Sequence, residues 1–271
     1  EFRRVLFRSK ESVIILQCFI NYLRTDFRRL GKSYRWLAGI VGVVAILFFS
    51  LESVLFQKGL ENGNVLSTYV YSTNMTGFLI AYSFCAFPFA GVYPEEQEHK
   101  YIRYNVIRGS LKSYVLSKTT VIYISSLSIM ILGSVLFLFL CRTYVPWTDW
   151  SIDSYGIELN GCYGSILEEG HVILYCTLYA LNLGLIAGAL SNMAALCSVF
   201  ISNTVLVLVF PVLAFRVLVS VNIADYNIYA FYAYTKIFAS DGVNLLFLTV
   251  ISVGISALSA AGCYWGLKKK M

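Results

Sequence analysis

The chain has 271 residues, of which 58% are hydrophobic and only 13% are charged, and its formal net charge is +6. A soluble domain carries about 25% charged residues, so this composition, with a mean hydropathy of +0.69, excludes an ordinary soluble protein. Apolar runs near the ~20 residues that cross a bilayer recur along the sequence, which predicts an all-α integral membrane protein. The basic residues gather in short segments between these runs, and this placement argues against a nucleic-acid partner.

Two segments precede the first apolar run. Residues 1–10 lack the apolar core and cleavage site of a signal peptide, and we interpret them as a non-native or disordered extension. Residues 11–35 carry apolar side chains at the spacing of one helix face, with Arg24, Arg28 and Arg29 near the end, and predict an amphipathic helix. Two placements remain open for it: the inner membrane interface, with the arginines on lipid head groups, or a cytoplasmic position packed on protein.

Six apolar segments within a permease domain of residues 36–267 are predicted to cross the membrane. The segments are 36–56, 69–92, 119–141, 171–190, 193–218 and 243–267. The second has the weakest pattern, because it carries several hydroxyl and amide side chains and has Pro88 near its end. A basic tail, 268–271, follows the last segment. Cys141 and Cys162 flank the long loop predicted outside, so a disulfide between them is left open.

The distribution of basic residues predicts that both termini are cytoplasmic. In that orientation the inner segments hold nine basic residues up to Arg35, five in 100–118 and three at the C-terminal end. The outer segments hold four basic residues and nine acids. Since cytoplasmic loops carry the excess of Lys and Arg, the reverse orientation would place most of the positive charge on the wrong side.

A densely charged segment, 94–118, lies between the second and third predicted spans. Pro94 suits the first position of a helix, acids in the first turn complement the helix dipole, and Gly109 is a natural C′ residue. Ser110 can then cap a second helix that continues into the third span. The sequence therefore predicts a helix, a break and a second helix just below the membrane. The alternative is a solvated hairpin whose charges only fix the topology.

The chain resembles the permease subunits of the ABC-2 family of ATP-binding-cassette transporters. The overall plan is similar: an amphipathic N-terminal helix, six spans, and an acidic-then-basic loop between the second and third. The sequence features that carry the resemblance are Glu96-x-Glu98, Arg108-Gly109-Ser110, Tyr114 and Lys118. The family often has a Gly-Thr pair just after the acids, where this chain has Lys100-Tyr101.

The resemblance implies that the charged segment is a cytoplasmic coupling helix that docks on a separate ABC ATPase. It also implies a second permease copy or homologue beside this chain, membrane lipids around both, and ATP and magnesium bound by the ATPase alone. The docking residues it implies are Glu95, Glu96, Glu98, Arg103, Arg108, Gly109, Tyr114 and Lys118.

The chain itself is predicted to have no enzymatic activity, cofactor or metal. Gly31-Lys32-Ser33 looks like the end of a phosphate-binding loop, but Asp26 stands where such a loop needs a glycine. The two histidines form no metal-binding or Ser-His-Asp motif. Ionisable residues are scarce in the predicted spans, which argues against an ion-coupled secondary transporter.

Three asparagines are predicted inside the membrane: Asn74, Asn182 and Asn203, in the second, fourth and fifth spans. A buried amide is costly in lipid unless it is paired, so these side chains are interpreted as helix–helix contacts or as pathway residues. The spacing Gly184-x-x-x-Gly188 also permits two helices to approach closely.

Together these inferences predict the permease subunit of an ABC-2-type transporter. It would export a substrate across a bacterial plasma membrane with ATP hydrolysed by the separate subunit. The alternative is a non-transporting membrane anchor, sensor or immunity protein that docks a cytoplasmic partner through the same charged segment. A ligand that binds the outer loop without stimulating ATP turnover would favour the alternative.

Overall fold

The computed structural model describes most of the chain. The described residues are 2–51, 64–89, 91–98, 101–102, 110–148, 161–201, 203–220, 222–223, 226–227 and 240–270, with side chains except at 2–16, 219–220, 222–223 and 226–227. These residues are helical apart from turns and one short antiparallel ladder of β1 (Asn222–Ile223) and β2 (Tyr226–Asn227). The predicted all-α class is confirmed.

The helices follow one another with short breaks. They are α1 (Phe2–Lys32), α2 (Tyr34–Ser50), α3 (Val65–Asn74), α4 (Leu79–Ala86), α5 (Val92–Glu98), α6 (Leu111–Arg142), α7 (Gly164–Glu168), α8 (Val172–Phe200), α9 (Thr204–Ser220) and α10 (Asp241–Lys270). Residues 2–10, predicted to be a non-native or disordered extension, are part of helix α1.

Three of the described helices, α6, α8 and α10, are long and apolar enough to cross a membrane. The two helical segments Gln17–Lys32 and Tyr34–Ser50 are also long and apolar enough when taken together, but the angle between them is 62°. Two further apolar helical segments among the described residues, Thr76–Ala86 and Thr204–Leu218, are shorter. These lengths and compositions are those of a membrane protein.

Helix α8 lies at the centre of the bundle and packs along both α6 and α10. Its glycines permit this closeness: a Cβ added at Gly188 would lie 2.7 Å from the Tyr123 ring, and one at Gly184 would lie 3.3 Å from the Leu127 carbonyl oxygen. The buried side chains form two main clusters. The larger, called the outer cluster from here on, extends from α2 to α10; the smaller, called the inner cluster, consists of Phe89, Val92, Tyr93, Ile102, Tyr114, Val115, Val121, Ile122, Ala195, Val199, Cys263 and Leu267. The inner cluster joins the charged segment to the ends of α8 and α10.

The boundary between the fourth and fifth predicted spans lies elsewhere in the structure. Helix α8 continues through Ser191 and Asn192, where the sequence predicts a turn, and both side chains are buried. Helix α8 ends at Phe200 and α9 begins at Thr204, next to Asn203, whose Oδ1 accepts a hydrogen bond from the Val205 amide at 3.0 Å. A helix makes its backbone hydrogen bonds within itself, whether its side chains are polar or apolar. A polar pair that faces the bundle interior therefore does not have to interrupt the helix.

The second predicted span is discontinuous. Helix α3 begins at Val65 and ends at Asn74, and Met75 is extended (φ −69°, ψ 145°) before a 3₁₀ turn, Thr76–Phe78, leads into α4. The last side chains of α3 bond back to its own carbonyls: Thr73 Oγ1 and Asn74 Nδ2 each donate to the Val70 oxygen at 2.8 Å. Similar bonds occur inside the unbroken α6 and α8, for example from Thr119 to the Val115 oxygen and from Thr177 to the Leu174 oxygen, so these bonds accompany the break but do not cause it.

Of the helix, break and helix predicted for the charged segment, the structure describes the start of the first helix and the start of the second. Helix α5 begins at Val92, which makes Pro94 its third residue rather than its first. Ser110 caps α6 as predicted, because its Oγ accepts a hydrogen bond from the Ser113 amide at 3.1 Å. Residues 103–109, with the predicted helix end at Gly109, lie outside the described residues.

Candidate functional site

Three elements meet at the inner cluster: the second half of α1, helix α5 and the first turns of α6. The apolar face of α1 packs on this cluster through its partly buried side chains, which are Tyr22, Leu23, Phe27 and Leu30. Of the two placements that the sequence leaves open for α1, this contact matches the one in which the apolar face packs on protein.

A buried ion network lies between these three elements. Lys118 Nζ is 2.7 Å from Asp26 Oδ1 on α1 and 2.8 Å from Glu96 Oε1 on α5. Arg29 Nη1 on α1 lies 2.8 Å from the same Glu96 oxygen. The relative exposures of Lys118, Glu96 and Asp26 are 2%, 3% and 5%. A single ammonium group therefore connects α6 to both other elements away from water.

Hydroxyl groups complete the ion network. Tyr114 donates its O–H to Glu96 Oε2, and Ser117 Oγ lies 3.4 Å from Asp26 Oδ2. Each of the four carboxylate oxygens thus has a donor nearby, and the two acids balance the two bases. Buried charges are tolerated under these conditions, when they are paired and their remaining lone pairs are hydrogen-bonded.

Aromatic rings surround the ion network. The Tyr22 and Tyr93 rings each meet the Tyr114 ring edge to face, with centroids 6.1 and 6.4 Å apart. Lys118 Nζ lies 5.7 Å from the Tyr114 ring centroid. These rings exclude water, and in a low local dielectric each ionic hydrogen bond is electrostatically stronger than it would be in solvent.

The charge state of Glu96 follows from its surroundings. Burial raises the pKa of this carboxyl, but the Lys118 ammonium and hydrogen bonds from Lys118, Tyr114 and Arg29 outweigh burial and hold the pKa below its ordinary value of 4.5. Glu96 is therefore ionised at neutral pH and acts as an acceptor for all three neighbours.

Because the folded-state pKa of Glu96 lies below its ordinary value, its ionised form stabilises the fold fully above about pH 4.5, and this contribution is lost as the pH falls through the lower folded-state value. We expect the thermal midpoint of the detergent-purified protein to fall more steeply below pH 4.5 than that of Glu96→Gln. Parallel curves for the two proteins between pH 7 and pH 3 would contradict this assignment.

The eight predicted docking residues have different environments. Glu96, Tyr114 and Lys118 come together in the ion network, and their side chains are buried within the chain. Glu95 is partly exposed and pairs with Arg35 at 2.8 Å, and Glu98 is exposed. The remaining three, which are Arg103, Arg108 and Gly109, lie outside the described residues.

Sequence reasoning did not assign Asp26 and Arg29 to the site. A signal for Asp26 exists: it falls at helical spacing between Leu23 and Leu30, so it is an acid on the apolar face of α1. A charged residue on a face that packs against protein requires a partner, and Lys118 occupies the equivalent inward position on α6.

The three predicted intramembrane asparagines do not form one site. Asn182 is buried in α8 and accepts a hydrogen bond at 3.2 Å from the hydroxyl of Tyr163, the residue that precedes α7. Asn74 bonds within α3, and Asn203 precedes α9. A fourth asparagine, Asn192 on α8, is buried with neither its amide nitrogen nor its oxygen hydrogen-bonded within the part of the chain that the structure describes.

Cys141 and Cys162 are both buried free thiols, so the disulfide that the sequence leaves open is not formed. Among the described residues, no group of three or more His, Cys, Asp or Glu side chains is arranged to hold a metal ion.

The chain was also compared with known proteins. No protein-family model, curated protein or solved structure matches it.

Proposed function

We propose that this chain is the permease subunit of an ABC-2-type transporter that exports a substrate across a bacterial plasma membrane. The observation that supports the proposal is the ion network, which joins the charged helix α5 to the long apolar helix α6 and to α1. The six spans would be α2, the discontinuous pair α3 and α4, α6, α8, α9 and α10.

The proposed orientation has both termini in the cytoplasm. Cys263 and Leu267, near the end of α10, share the inner cluster with Tyr93 and Tyr114. The basic end of α10 therefore lies at the same end of the bundle as α5 and the arginine-rich part of α1. Because basic segments remain on the cytoplasmic side, their convergence supports this placement.

In this proposal the ion network transmits motion instead of contacting the ATPase. A displacement of α5 would act on α6 through the Glu96–Lys118 pair and on α1 through Asp26, since rigid elements connected by buried contacts move together. The exposed Glu98 on α5 would contact the ATPase, which would bind ATP and magnesium. A second permease copy or homologue would complete the transporter.

Co-purification with the ATPase encoded by a neighbouring gene tests the proposal. We expect a stoichiometric complex, and we expect Glu98→Lys to weaken ATPase binding by about tenfold or more, because charge reversal opposite a complementary surface is costly. Glu169→Lys is the matched control: it makes the same change at an exposed residue of the opposite end of the bundle and should leave binding unchanged.

Three outcomes would count against the transporter proposal. If no ATPase binds, or if both reversals have the same effect, α5 is not a docking helix. If the ATPase binds but its turnover is the same with and without the permease, the anchor or sensor alternative is favoured.

A further inference from the structure

A cleft of about 300 Å³ lies beside the ion network, where α1 and α2 meet at their 62° bend. Its apolar lining residues include Pro88 and Phe89. Its polar lining residues are Arg29, Ser33, Arg35 and Glu95. The cleft therefore combines an apolar surface with two guanidinium groups.

Both arginines remain accessible. The side chains of Arg29 and Arg35 are 58% and 48% exposed, and each directs its Nη1 to one glutamate at 2.8 Å. A guanidinium has five N–H donors, so each retains donors for another acceptor. Glu96 and Glu95 balance the charges of the two arginines, so the cleft offers an anion the guanidinium N–H donors that remain, which suit a ligand that accepts several hydrogen bonds.

The surroundings of the cleft resemble those of a membrane interface. Ser33 caps α2, and the next turn exposes Tyr34 and Leu37. Exposed aromatic and aliphatic side chains beside exposed arginines are typical of the level at which head groups meet acyl chains. In the orientation proposed above, this level belongs to the inner leaflet.

We propose that this cleft binds an anionic phospholipid, with its phosphate between Arg29 and Arg35 and an acyl chain along the exposed Tyr34 and Leu37 of α2. The inner-leaflet placement rests on the proposed topology, but the binding chemistry does not require an ATPase partner. Because Arg35 also pairs with Glu95, the lipid phosphate competes with Glu95 for this guanidinium. Lipid binding would thereby weaken one of the contacts between the start of α2 and α5.

Native mass spectrometry of the full chain in detergent, titrated with phosphatidylglycerol, tests the proposal. Arg35→Gln is expected to weaken binding about tenfold, since it removes a hydrogen bond to a charged group. Arg24→Gln, an exposed α1 arginine that does not line the cleft, is the matched control and should bind as the wild type does. Glu95→Gln should bind more tightly, because it removes the competing carboxylate; general damage to the fold would not increase affinity.

Three results would overturn the proposal. Equal losses in Arg35→Gln and Arg24→Gln would show diffuse attraction to basic residues instead of a site. Equal binding of phosphatidylcholine would show that the anionic character is irrelevant. Displacement of phosphatidylglycerol by millimolar inorganic phosphate, with the same dependence on Arg35, would indicate a site for a soluble anion. All of these measurements are made without the ATPase, so failure here is distinguishable from failure of the proposed transport function.

Discussion

Replacing Lys118 with Met is expected to lower the free energy of unfolding by about 3–5 kcal/mol, the cost of leaving buried charges without their partner. The substitution removes the only group that contacts both Asp26 and Glu96 within the described ion network. Lys112→Met makes the same chemical change at an exposed position one and a half turns earlier on α6 and should have little effect. Thermal loss of the monodisperse peak in size-exclusion chromatography, followed in detergent, measures both variants.

A triple variant separates charge from packing in this experiment. Adding Asp26→Asn and Glu96→Gln to Lys118→Met removes both carboxylate charges that Lys118 contacts and leaves only Arg29, which is exposed, without its partner. We therefore expect part of the lost stability to return. If Lys118→Met and Lys112→Met have similar midpoints, the ion network does not hold α1 and α5 on the bundle. The coupling role proposed for it would then lose its physical basis.

The second large effect is expected at Gly133, where α6 passes close to α2. A Cβ added there would lie 2.8 Å from Cγ1 and 2.9 Å from Cβ of Val43. Val43 is fully buried, and its Cβ is fixed by the backbone of α2. Because the side chain is β-branched, rotation about χ1 to move Cγ1 away is also restricted. Gly133→Ala should therefore separate the two helices, and overpacking of this kind costs about 1–3 kcal/mol.

Gly254→Ala is the matched control for this helix contact. Gly254 lies inside α10 with open space where a Cβ would be, so it receives the same gain in helix propensity, up to about 1 kcal/mol, without the overlap. The difference between the two thermal midpoints isolates the overlap at Gly133. Equal midpoints would mean that α2 and α6 can separate at no cost.

The class of the fold could be predicted because composition and apolar run length report directly on the surrounding solvent. Ser110 was also predictable as a cap, since capping depends on a few adjacent residues. The break at Met75 and the continuity of α8 through Asn192 were not, because the same polar residue types precede a break in one helix and are buried in the other. Whether a helix breaks or continues at such a residue depends on the side chains that pack against it from other helices, and a hydropathy pattern does not contain this information.

The candidate site was predictable only in part, again because tertiary contacts decide where a charged side chain faces. The acids and bases of the charged segment could be recognised, and the sequence suggested that they face a partner. Two of them, Glu96 and Lys118, face inward because their counter-charges on α1, Arg29 and Asp26, lie 67 and 92 residues earlier in the chain. Pairing across such a distance depends on how the helices pack, and no local pattern specifies it.

The separation of the buried side chains into an inner and an outer cluster has a consequence for how the protein holds together. In the proposed orientation the outer cluster lies in lipid, where apolar side chains gain nothing by leaving hydrocarbon for protein and cohesion depends on van der Waals fit. The inner cluster adjoins the cytoplasm, where each Å² of apolar surface withdrawn from water contributes about 25 cal/mol. In that orientation one continuous helix, α8, would obey the energetics of a membrane protein at one end and those of a water-soluble domain at the other.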